Sequence, residues 1–188
     1  MQVLEDFCLS IMAGILIGIA CYANLLYGGV LGAFLFSFGL IVIVYFKFYL
    51  YTGAIGKVLD DNGPKVWELV IFWIGNFLGI CFFAVAAGSA IVSTAAVLIV
   101  EKYAALGFLR LFGLSIFCGM AVFFAVTGEK NIFKIALCVM IFVLCGFPHC
   151  IATMGYIVFA NGAWPHFWIL IPITIGNSAG ALLARLCL

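Results

Sequence analysis

Between Ile135 and Ala184 the chain runs for fifty residues without Asp, Glu, Lys or Arg, and two membrane crossings fit in that length at about 20 apolar residues each. In the middle of the run stands Gly146-Phe147-Pro148-His149. Gly-Phe-Pro breaks a helix there, because proline lacks the N–H that the ladder needs and its ring clashes with the preceding turn. Lipid cannot satisfy the backbone groups that a break frees, so a break at membrane depth is tolerated only where it is packed in protein or lines a cavity. A titratable side chain beside it, here His149, is a mark of function. The run therefore predicts an interrupted helix bordering a path through a membrane.

Composition agrees with that reading. Hydrophobic residues make up 68% and charged residues 8% of 188 residues, with a mean hydropathy of +1.38. No soluble domain of this size hides so much apolar surface, so an integral membrane protein in contact with the lipid bilayer is expected. A net charge of +1 offers no basic field for nucleic acid. The N-terminal residues Gln2-Val3-Leu4-Glu5-Asp6 lack the basic region of a cleavable signal peptide, so the first apolar segment is expected to stay as a span. The eight cysteines lie mainly in apolar segments, where they act as small hydrophobes. Cys145, His149 and Cys150 come nearest to a metal set, but one broken turn without a second cluster falls short of a tetrahedral site. No metal, no cofactor and no enzyme activity is expected, since paired carboxylates and a nucleotide loop are also missing.

Charges and turn residues divide the chain into six segments, at residues 7–23, 29–56, 69–92, 104–126, 133–160 and 164–186. A polar, Gly-bearing turn is expected at 22–29. Segment two is interrupted at 47–53 and segment five at 146–149. An even count places both termini on one side. Lys57, Lys65, Lys130, Lys134 and Arg185 share that side, against Lys102 and Arg110 on the other. The basic excess assigns the termini to the cytoplasm, in a multi-pass protein of the inner or plasma membrane. Gly75-Asn76-x-x-Gly79 recurs as Gly176-Asn177-x-x-Gly180, 101 positions on. Broken segment two recurs as broken segment five. Three segments per half is an odd number, so the copies, about 1–100 and 101–188, take opposite orientations. That is the 3+3 inverted-repeat plan, in which interrupted helices meet near the midplane. The fold class is thus all-α, one transmembrane channel domain over 1–188. Asn76 and Asn177 either support the broken loops by hydrogen bonds or simply accompany close packing through small residues.

Leu50-Tyr51-Thr52-Gly53 resembles the Leu-Phe-Thr element of the formate/nitrite transporter family. Gly146-Phe147-Pro148-His149-Cys150-Ile151-Ala152-Thr153-Met154 resembles that family's Gly-Phe-Glu-His-x-x-Ala-Asn-Met. With the paired Gly-Asn motifs, the resemblance spans nearly the whole chain. It implies a homopentamer of aquaporin-like protomers, each with its own pore for small monovalent anions such as formate, nitrite or hydrosulfide. It further implies that His149 is the central pore histidine, that Thr52 belongs to the loop of segment two, and that Lys102 marks the outer vestibule. Phe36, Leu40 and Phe142 would form apolar constrictions, and Leu50 with Tyr51 the cytoplasmic slit. Pro148 and Thr153 depart from the family's acidic residue and Asn, and Gly119 stands where the formate branch carries a pore-facing Asn. These departures lean toward the hydrosulfide branch.

A bare anion crosses an apolar constriction only at great cost, so the expected course is attraction by Lys102 and the loop amides, then passage as the neutral acid. His149 would act as a neutral hydrogen-bond donor. Plainer roles remain open: His149 bonding its own loop backbone, Thr52 capping the half-helix that follows, Phe36, Leu40 and Phe142 as ordinary core, Lys102 and Lys47 as snorkelling interface residues. The alternative is an aquaporin-like channel for small neutral solutes, although the chain contains no Asn-Pro-Ala loop.

Overall fold

The computed structural model describes residues 2–161 and 163–188. They form helices joined by turns, with no strand among the described residues. In chain order these are α1 (Gln2–Tyr27), α2 (Gly29–Phe46), α3 (Tyr51–Ala54), α4 (Val66–Ala87), α5 (Ser93–Val126), α6 (Ile132–Leu144), α7 (Cys150–Phe159) and α8 (Leu170–Leu186). A 3-10 turn, Ile55–Lys57, continues α3, and another, Trp164–Ile169, leads into α8. Helices α1, α2, α4, α5 and the stretch Trp164–Leu186 are each long and apolar enough to cross a membrane; α6 and α7 are shorter apolar helices.

The interruption expected at 146–149 falls there, while the one expected at 47–53 is shorter, since α3 already begins at Tyr51, and the two are closed alike. Helix α6 is closed just past its C-cap by Gly146, whose φ of +68° suits a residue without a Cβ. Its N–H bonds to Val143 O at 3.1 Å and the Phe147 N–H reaches Phe142 O at 2.9 Å, the paired closure of a Schellman turn. Helix α2 ends at Lys47, also left-handed at φ +60°, and the Phe48 N–H reaches Ile43 O at 3.0 Å. Lys47 thus stands at the station of Gly146.

Other boundaries differ from expectation. The turn expected at 22–29 shrinks to Gly28-Gly29, both at positive φ. Tyr22 and Asn24 are helical because both side chains meet protein: the Tyr22 ring packs on Phe83 and Phe159, and Asn24 bonds to Tyr156 on α7. Helix α4 starts at Val66, ahead of residue 69, because the Glu68 carboxylate accepts the Lys65 N–H at 2.8 Å and caps the first turn. Helix α5 starts at Ser93, well before residue 104. Glu101 and Lys102 suggest a loop in the sequence, yet Ala96, Val100 and Tyr103 bury one face of this stretch, which is sufficient to hold it helical. The helix is interrupted at Gly107 (φ 72°, ψ 169°).

Helix α1 packs on α2 and α4, α5 packs on α6 and α8, and α2 meets α6 between them. The closest approaches use glycine. A Cβ on Gly14 would strike the Asn76 carbonyl, and one on Gly119 the Asn177 carbonyl. Likewise Gly79 lies on the Ile11 carbonyl and Gly180 on that of Ile116. In membranes such small residues let backbones touch and gain dispersion contacts. Gly119 is therefore a packing residue of the α5–α8 contact, not the empty place of a cavity-facing Asn, which the backbone at that point has no room to hold.

Gly119→Ala is expected to destabilise the protein by about 1–3 kcal/mol through overpacking. Gly113→Ala, on the same helix with nothing near a new Cβ, is expected to cause no loss. Thermal unfolding of the two variants in one detergent compares them directly.

Candidate functional site

The two breaks are fastened by one residue type. Asn76 of α4 donates to Ser10 O at 2.8 Å and Tyr49 O at 2.9 Å, and its carbonyl accepts the Tyr51 N–H at 3.0 Å. Asn177 of α8 donates to Ser115 O at 2.8 Å and Pro148 O at 2.9 Å, and accepts the Cys150 N–H at 2.8 Å. Each amide spends both donors on carbonyls and its acceptor on the first N–H of a half-helix, so one freed carbonyl and one freed N–H at each break are met by protein. The pattern equates Tyr49 with Pro148, Leu50 with His149, and Tyr51 with Cys150.

The half-helices bring Thr52 and His149 together. Thr52 Oγ1 and His149 Nε2 lie 2.8 Å apart, with Thr52 1% and His149 4% exposed. His149 is also the N-cap of α7: its Nδ1 accepts the Ala152 N–H at 3.1 Å. A main-chain N–H can only donate, so Nδ1 holds a lone pair and the ring proton sits on Nε2. The imidazole therefore donates to Thr52, and the threonine hydroxyl keeps its own hydrogen for an acceptor. Thr52 caps nothing; Leu50 holds the N-cap position of α3 without a side-chain bond. Thr153 turns back on its own helix, donating to His149 O at 2.9 Å.

Two cavities share no lining residue; His149 lines the narrow one, and Thr52 lines neither. The wide one, about 680 Å³, is lined by Lys47, Lys57, Lys130, Asp6, Asp60 and Glu68 among others, and reaches Leu40 and Leu50. The narrow one, about 100 Å³, is lined by Lys102, Tyr103, Asn24, Tyr156, Phe142 and His149 among others, and by no carboxylate. At the narrow cavity Phe142 meets the Phe36 ring edge to face at 5.9 Å. Phe142 also stacks on the His149 ring at 5.5 Å. Phe36, Leu40, Leu50 and Phe142 are all buried and belong to one apolar cluster. Tyr51 lines neither cavity; its hydroxyl lies 2.8 Å from Ser178 Oγ, which donates onward to Thr174 O, so Tyr51 donates to Ser178 and ties α3 to α8. Lys47 lies at the wide cavity. His166, in the turn before α8, touches neither. No group of metal-ligating side chains occurs among the described residues.

Asn24, Tyr103 and Tyr156 were not singled out from sequence. A polar residue inside an apolar helix, Asn24 above all, was the available signal.

Apolar helices of spanning length, with interruptions that are fastened to neighbouring helices and border cavities, define a multi-pass integral membrane protein. The model of the formate/nitrite transporter family matches residues 1–188, and the chain belongs to that family. Its fold is similar to a solved structure described as a pentameric formate channel with formate bound, with a TM-score of 0.80 and 24% identity, covering 97% of this chain and 94% of the other. A second similar structure, described as an FNT family ion channel, has a TM-score of 0.76 and 21% identity, covering 96% of this chain and 86% of the other. No curated protein sequence matches the chain.

Asn177→Leu strands one buried N–H and two carbonyls, each unmet group costing about 1–3 kcal/mol. A loss of about 3 kcal/mol or more is expected in SDS-titrated unfolding, with α7 becoming accessible to thiol reagents at Cys150, which is fully buried in the native fold.

Proposed function

We propose that this chain is a channel for small monovalent weak-acid anions, with formate, nitrite and hydrosulfide as the substrate class, working as a homopentamer with one pore per protomer. Each protomer would cross the bilayer six times as a 3+3 inverted repeat, about 1–100 and 101–188, with α3 and α7 as half-helices meeting near the midplane. Lys57 and Lys130 share the wide cavity with Gln2, which favours cytoplasmic termini in the inner or plasma membrane.

The observation that carries this reading is the buried Thr52–His149 pair, whose imidazole lines a carboxylate-free cavity together with Lys102 and Phe142. Lys102 raises the local concentration of small anions, and the N-terminus of α7 favours negative charge at the same point. His149 polarises Thr52, whose free hydroxyl hydrogen serves the anion as donor. The collar of Phe36, Leu40, Leu50 and Phe142 opposes naked charge. The anion takes a proton from cavity water and crosses as the neutral acid, so each crossing carries one proton along.

Proteoliposomes holding an internal pH dye test this. Formate, nitrite and hydrosulfide are each expected to acidify the lumen, and glycerol to cause no swelling. Thr52→Val removes the hydroxyl and should slow anion flux roughly tenfold or more, the effect of one hydrogen bond to charge at about 1.5–3 kcal/mol. Glycerol permeation with no anion flux would return the chain to the neutral-solute class.

A further inference from the structure

The narrow cavity holds a second polar pair that the pathway above leaves unused. Asn24 Nδ2, on α1, donates to the Tyr156 hydroxyl, on α7, at 3.2 Å. The phenol oxygen accepts there, so its own hydrogen remains to donate, and no other bond to that hydroxyl occurs among the described residues. Tyr156 is 5% exposed, and it lines the cavity together with Lys102 and His149. A phenylalanine would fill the same apolar volume; the hydroxyl adds an acceptor, which Asn24 meets, and a donor that remains for a ligand. That donor is oriented by a half-buried amide from another helix, and a buried hydroxyl left without a partner is costly.

The cavity, at about 100 Å³, has room for a few water-sized groups, each of which occupies roughly 30 Å³ in the liquid. A triatomic or four-atom anion with one hydration water fits. Around it stand the Lys102 ammonium and the Tyr156 O–H as donors, with no carboxylate to repel it.

We propose that Tyr156 is a specificity-determining residue, donating a hydrogen bond to an oxygen of a carboxylate or nitrite anion held near Lys102, with Asn24 as its positioning residue. Sulfur accepts hydrogen bonds weakly, so hydrosulfide gains little from the same hydroxyl. A site built around a donor discriminates by leaving it unpaired with the wrong ligand. Tyr156 thus biases the protein toward oxyanions over hydrosulfide. The proposal rests on the anion-channel reading above and adds selectivity within it.

The test measures concentration-dependent influx of formate, nitrite and hydrosulfide into proteoliposomes containing the full chain, wild type against Tyr156→Phe and Asn24→Leu. Tyr156→Phe is expected to raise the half-saturating formate and nitrite concentrations on the order of tenfold, from the loss of one hydrogen bond to an anion. Maximal rates should be little changed and hydrosulfide influx altered less than about twofold, since its acceptor is weak. Asn24→Leu, which keeps the phenol, should shift the oxyanions in the same direction by a smaller factor. If Tyr156→Phe does not assemble, Asn24→Leu alone decides. An unchanged formate-to-hydrosulfide ratio in the assembled variants overturns the assignment while leaving the channel reading intact. A wild-type protein that passes none of the three anions overturns both.

Discussion

Two asparagine side chains carry the irregular backbone of this protein. A helix broken inside a membrane exposes carbonyls at one end and N–H groups at the other, and hydrocarbon accepts neither. Asn76 and Asn177 answer both at once, because a carboxamide carries two donors and one acceptor on a single plane. Each takes the carbonyl just before a half-helix and the amide that begins it. Each also holds a carbonyl of the neighbouring long helix, Ser10 or Ser115. The glycines at Gly14 and Gly119 bring those helices close enough for the bonds to form. Packing and polar satisfaction are thus a single design, and Thr52 meets His149 because both loops are fixed to it.

His149 combines two duties that usually fall to different residues. Its Nδ1 takes the place of a Ser or Asp cap at the start of α7, and that bond fixes which nitrogen holds the proton. Its Nε2 then has one direction open to it, toward Thr52. Phe142 stacks on the ring and Phe36 abuts Phe142, so the imidazole is fixed in plane and in tautomer before any ligand arrives. Such preorganisation spares the site the reordering that a mobile donor would undergo.

Much of this was legible in the sequence, because lipid leaves few choices. An uncharged run too long for one crossing and a proline at its middle locate the second interruption to within a residue. The first is located at its start but runs three residues shorter than expected, because Tyr51 already opens α3. The boundaries that failed did so for a common reason. Tyr22 and Asn24 resemble a turn, and Glu101 and Lys102 resemble a loop, only while polarity is equated with exposure. Asn24 faces protein, and Lys102 sits on a helix whose other face is buried. Gly119 was misread in the opposite sense, as a missing polar group, when its lack of a side chain is what the α5–α8 contact requires. Tyr156 was hidden among 20 Phe and seven Tyr, since periodicity does not say which aromatic faces a cavity.

The station-by-station match between the breaks makes the chain its own reference. Lys47 stands where Gly146 does, Tyr49 where Pro148 does, and Leu50 where His149 does, under the same pattern of bonds. A common scaffold therefore presents an aliphatic tip from one half and an imidazole from the other. The contrast between the two breaks thus lies in the side chains they carry, an aliphatic one at Leu50 and an imidazole at His149, and not in how their backbones are fastened.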